Sequence, residues 1–97
     1  MTTTITEAEK QKAAQIAKTT TTHLSDARET GAILAGLSKA KDEGIMADSL
    51  QQTSRKAAQG VINYLRDNKL VLPADEQTLL INKTKDFARD VMHPQGR

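Results

Sequence analysis

The sequence predicts an all-α protein, a small antiparallel up-down four-helix bundle. Three observations predict it. Apolar residues recur three and four positions apart in four separate stretches, which gathers them on one side of a helix in each. Those stretches are bounded by residue types that start and stop helices and are joined by only a few residues, so successive helices turn back on one another. The apolar vocabulary is aliphatic: with one Phe, one Tyr and no Trp in 97 residues, the chain lacks the aromatic side chains that favour strands.

The first helix is announced by "TEAEKQKAAQIAK", where Thr6 and Glu9 have the spacing of a capping box. Ala13, Ile16, Ala17, Thr20 and Leu24 form its thin apolar stripe. The run Thr19 to Thr22 weakens it, because β-branched side chains lose rotamer freedom in a helix; the run reads as a frayed end or a soft joint. A second helix starts at "SDARE" with Ser25 or Asp26 as N-cap and Glu29 near the positive end of the helix dipole. Ala27, Thr30, Ile33, Leu34, Leu37 and Ala40 share its apolar side up to Gly44, which suits a left-handed helix end, with Ile45 folding back on Ala40. Gly31 and Gly36 each cost about 1 kcal/mol in a helix relative to alanine, so tertiary packing must hold this helix, and small residues there allow a neighbour to come close.

The third helix has Asp48 as N-cap with Gln51 three residues on, and Leu50, Ala57, Ala58, Val61, Ile62, Tyr64 and Leu65 as its apolar positions. It ends at "RDNK", where Asn68 tolerates the left-handed conformation. The fourth begins at Pro73, suited to the first helical position because its missing N–H would be unpaired there. Asp75 and Glu76 fall in its first turn, and Leu79, Leu80, Phe87, Ala88, Val91 and Met92 form its buried side. Between the last two helices lies the densest aliphatic run of the chain, Leu70, Val71 and Leu72. A connection normally lies against water, so the run reads as a plug for the end of the core: Leu70 packs on the preceding turn, Leu72 staples the next helix, and Val71 stays exposed.

Length makes residues 1–97 a single domain, with 1–5 and 93–97 as flexible ends. The absence of cysteine excludes a disulfide framework and thiolate metal sites. No stretch reaches the roughly 20 apolar residues of a membrane span, and "MTTTITEAEK" has neither the basic start nor the apolar stretch of a signal peptide, so a cytoplasmic location is expected. Fourteen Lys and Arg against twelve Asp and Glu give a net charge of +2, with both signs interspersed.

Catalytic chemistry has little to stand on in these residues. His23 and His93 lie in different segments without a helical partner, which makes plain surface or helix-end histidines of them and leaves no expected metal or cofactor. Ser25, Ser38, Ser49 and Ser54 are not in a strand-to-helix elbow. Asp42 and Glu43, like Asp75 and Glu76, are adjacent and so point apart on a helix, as solvated caps do. A non-enzymatic protein without a small-molecule substrate is expected. One stretch carries the side-chain types that read nucleic acid: "SLQQTSRK", with Gln51, Gln52, Arg55 and Lys56. A polar helix face is the plainer account of it.

The run "VINYLRDNKLVLPADEQTLLINKTKDFA" resembles the immunity proteins of pediocin-like (class IIa) bacteriocins, including the enterocin A immunity family. The carriers are Val61, Ile62, Tyr64 and Leu65 at a helix end, then "NKL", one residue, "LP" and an amphipathic last helix; upstream, "LAGLSKAKDEG" is similar to that family's lysine-rich second helix. The threonine run and the scarcity of aromatic residues depart from the pattern. The resemblance implies a cytosolic antiparallel four-helix bundle that protects a lactic-acid bacterium from a membrane-permeabilising peptide. Its implied partner is a membrane sugar permease with bacteriocin bound, met at the inner face of the membrane. It also assigns partner choice to the C-terminal half, here Lys69, Val71, Lys83, Lys85 and Arg89, with no catalytic residue. The runner-up expectations are a small helical nucleic-acid-binding regulator and a helical adaptor or inhibitor of another protein.

Overall fold

The computed structural model describes residues 5–18, 24–41 and 50–93. They form four α-helices and no strand: α1 Glu7–Ala17, α2 Asp26–Lys41, α3 Leu50–Asp67 and α4 Ala74–Met92. The expectations for the threonine run, His23, Gly44 with Ile45, and Asp48 as N-cap fall outside the described residues.

Helix α1 begins on the capping box read from the sequence: Thr6 Oγ1 accepts from the Glu9 backbone N–H at 3.2 Å, and Glu9 Oε1 accepts from the Thr6 N–H at 3.0 Å. For α2 the cap is Ser25, whose Oγ accepts from the Arg28 N–H at 3.3 Å while its carbonyl takes the first helical bond from Glu29. Helix α3 stops in a Schellman motif, with the Lys69 N–H on the Arg66 carbonyl at 3.1 Å and the Leu70 N–H on the Leu65 carbonyl at 2.8 Å. The left-handed residue of that motif is Lys69, with φ of 56°, one position beyond the expected Asn68. Asn68 is not wasted: its side-chain amide donates to the Tyr64 carbonyl at 2.9 Å. Pro73 likewise sits one position off the expectation, as the N-cap of α4 rather than its first helical residue.

Helices α2, α3 and α4 all pack on one another, and α1 lies against α2. Among the described residues six of the thirteen buried hydrophobic residues are alanine (Ala13, Ala17, Ala32, Ala40, Ala57 and Ala88), which lets helices lie near each other around the larger buried side chains. The backbones of α2 and α3 come close at Gly36 and Gly60. A Cβ at Gly60 would lie 2.5 Å from the Ala35 carbonyl oxygen and 2.7 Å from the Gly36 Cα, and one at Gly36 would meet the Thr84 methyl and, at 2.8 Å, the Ala57 carbonyl. Around this crossing Ile33, Leu37, Val61 and Leu80 are fully buried.

The buried stripes differ from the expected ones in a regular way. In α2 the buried residues are Glu29, Ala32, Ile33, Gly36, Leu37 and Ala40, and Ala27 faces solvent. In α3 Thr53 and Gly60 are buried, while Leu50 and Ile62 are 41% and 37% exposed; in α4 Thr84 is buried and Leu79 is 40% exposed. Each of these stripes is rotated slightly from where hydrophobicity alone puts it, because polar or side-chain-free residues (Glu29, Gly36, Thr53, Gly60 and Thr84) share the buried side. Thr84 meets that burial by donating its hydroxyl proton to the Leu80 carbonyl at 2.8 Å, and Thr53 by a hydrogen bond between its Oγ1 and His93 Nε2 at 2.8 Å. Ile5 packs on the core and His93 closes α4.

Candidate functional site

The turn between α3 and α4 is built by the sequence that drew attention to it. The Schellman bonds fix the backbone at Lys69 and Leu70, and Pro73 fixes it at the start of α4. Between these anchors Leu72 is buried at 6% exposure, Leu70 packs partly against the core, and Val71 stands 88% exposed. Leu72 does not form a helix staple, since the residue it would have to meet in α4 is Gln77; it joins the core directly. Alternation along an extended segment puts Leu70 and Leu72 on the inside and Val71 on the outside.

Of the residues assigned to partner contact, Lys69 and Val71 share this turn and both are exposed. Lys83, Lys85 and Arg89 do not join them. Arg89 lies about 22 Å along α4 from its first residue at 1.5 Å per residue. Lys85 and Arg89 are four apart and share a side of α4; Lys83, two residues before Lys85, points to another. Lys83 is exposed, whereas Lys85 and Arg89 are half-buried, and Arg89 is engaged by the Asp86 carboxylate. The set is therefore a turn plus two separate parts of α4.

Gln51, Gln52, Arg55 and Lys56 do come together on the first turns of α3. Gln51, Gln52 and Arg55 are exposed and Lys56 is half-buried; Gln52 and Lys56 each already take part in an interaction within the protein. Beyond Lys56 the polar side of the helix continues through Gln59, whose side-chain amide donates to Asn63 Oδ1 at 2.9 Å, to Arg66. Spacing of four along a helix is the signal that extends it.

Among the open grooves that flank the helices are two lined by described residues. One, of about 350 Å³, runs between α2 and α3 over Ala35 and Gly60, with Lys39, Asn63, Tyr64 and Asp67 along its sides. The other, of about 270 Å³, lies between Lys12 and Glu9 on α1 and Phe87, Asp90 and Val91 on α4. Beside it the Lys41 ammonium donates to Glu9 Oε1 at 2.9 Å and Oε2 at 3.2 Å, tying α1 to the end of α2. Burial pushes the Glu9 carboxyl up, but the Thr6 backbone N–H and the Lys41 ammonium outweigh it and hold the group below its ordinary 4.5.

Among the described residues no group of three or more His, Cys, Asp or Glu side chains is placed to hold a metal ion, and no helix is long and apolar enough to cross a membrane. No family model, no curated protein and no solved structure matches the chain.

Proposed function

We propose that this chain is a non-enzymatic bacteriocin immunity protein, acting in the cytoplasm at the inner face of the membrane. It binds a sugar permease that a pediocin-like peptide has captured. The observation that supports the reading is the α3–α4 turn, where the motif carrying the family resemblance holds one aliphatic side chain out in water on a backbone fixed from both sides. An exposed Val on a preorganised turn loses little conformational freedom when a partner covers it. Lys69 beside it adds a charge for orientation.

The arrangement in this reading is an antiparallel up-down bundle. Its support is the order of the contacts: Gly31 lies by Tyr64 and Gly36 by Ala57, the end of α2 meets the start of α1 through Lys41 and Glu9, and the start of α3 meets the end of α4 through Thr53 and His93. Contacts in this order are those expected of sequence neighbours that run in opposite directions.

Expression in a sensitive lactic-acid bacterium is expected to raise tolerance to one or a few pediocin-like peptides, and unchanged killing across a broad panel of them overturns the proposal. Val71→Asp is expected to abolish that protection while leaving the unfolding free energy within about 0.5 kcal/mol, as for other exposed sites. Leu72→Ala, in contrast, should lower stability by about 2–5 kcal/mol, and any of it that stays folded should still protect.

A further inference from the structure

Helix α3 stands apart from its neighbours in charge. Between Leu50 and Arg66 it contains no Asp or Glu, whereas α1, α2 and α4 each carry two acids in their first turn. Its core side is taken up by Thr53, Ala57, Gly60, Val61 and Leu65. The opposite side, at positions one, five, nine, twelve and sixteen of the stripe, presents Gln51, Arg55, Gln59, Ile62 and Arg66, all exposed. This line of alternating amides and guanidiniums is about 22 Å long at the helical rise. On the adjoining helix Lys39 is also exposed, with its Cβ placed against Gly60. Because α2 meets α3 through Ala35, Gly36 and Gly60 at this level, the two backbones lie close beneath Lys39.

We propose that this side of α3, with Lys39 beside it, binds nucleic acid. Arg55, Arg66 and Lys39 are spaced to neutralise separate phosphates, and the amides between them offer a donor and an acceptor each, the pattern that pairs with base edges or phosphate oxygens. The same features disfavour a lipid surface: an interfacial helix needs a broad apolar side, and α3 has turned its own into the core, leaving only the separated Leu50 and Ile62 exposed on this helix. Asp67 lies 3.5 Å from Arg66 Nε, in a pair whose side chains are both about two-thirds exposed; such pairs are weak enough to yield to phosphate. The inference is independent of the immunity reading, which rests on the α3–α4 turn.

The test is fluorescence anisotropy of the full chain against a labelled DNA duplex, a labelled single-stranded RNA, and vesicles containing anionic lipid. Binding to one of the nucleic acids at low salt is expected, with log K falling against log salt at a slope of about −2 to −3 for three phosphate contacts. Arg55→Ala with Arg66→Ala should weaken it at least tenfold, and Lys10→Ala with Lys12→Ala on α1 should change it less than twofold, with circular dichroism showing all variants helical. Absence of binding to both nucleic acids at low salt overturns the proposal. So does an equal loss in the α1 variant, or tighter binding to the vesicles than to either nucleic acid.

Discussion

Lys69 carries a φ of 56° in a position that glycine fills in most helix ends of this kind. A side chain with a Cβ is strained there, and the Schellman bonds at Arg66 and Leu65 hold it in place. Lys69→Gly is therefore expected to stabilise the protein by about 0.5–1 kcal/mol, relief of strain exceeding the added freedom of the unfolded chain, as measured by urea unfolding. An unchanged or lower midpoint would show that Lys69 contributes contacts worth more than its strain. Sequence pattern placed the end of α3 within a residue or two but chose Asn68 for the left-handed position, because Asn is the commoner occupant; in the fold Asn68 is spent on the Tyr64 carbonyl instead.

At the scale of the elements, the α2–α3 crossing decides the architecture. Gly60 meets backbone atoms of Ala35 and Gly36, which have nowhere to go, whereas Gly31 faces the hydroxyl end of Tyr64, with a built Cβ 2.5 Å from that oxygen. Gly60→Ala should thus destabilise by about 1–3 kcal/mol or more, the usual cost of overpacking. Gly31→Ala should cost clearly less, since a side chain can swing aside and alanine is the better helix former. Equal losses in thermal or urea unfolding would contradict this account of the crossing. The expectation that Gly31 and Gly36 admit a close neighbour holds, but Gly60 was passed over: a glycine adds nothing to a hydrophobic stripe, so periodicity does not mark it. Thr53, Thr84 and Glu29 escaped for the related reason that polar side chains read as surface.

For the molecule as a whole, α1 is the element held least. Its buried residues are Ala13 and Ala17, and Glu9 is the group that both caps it and bridges it to Lys41. Alanine contacts remove little apolar area, so amides near Ala13 and Ala17 are expected to exchange with deuterium faster than those near Leu37 and Val61. Uniform protection would mean that the four helices open as one unit. Acid should loosen α1 further. The Glu9 carboxyl is held below 4.5 in the folded chain, so its contribution is fully present above that pH and is lost as pH falls through the folded value. Glu9→Gln should flatten this part of the stability profile below about pH 4.5, read by circular dichroism across an acid titration.

Four helices, the cap at Thr6, a second cap at Ser25 or Asp26, the helix end near Asn68 and the exposed Val71 between two anchored leucines were all legible in the sequence. Each depends on groups a few residues apart, and the geometry that brings such groups together is set by the backbone itself. The turn that carries Lys69 and Val71 was legible for that reason. What tertiary structure alone decided is which side of each helix faces inward to within one residue, that the α2 and α3 backbones come close at Gly36 and Gly60, and that the side chains of α3 extend from Gln51 to Arg66 in one open line. Those outcomes depend on distances between residues far apart in the chain, and a small or polar residue that makes such an approach feasible leaves no mark in hydrophobic periodicity.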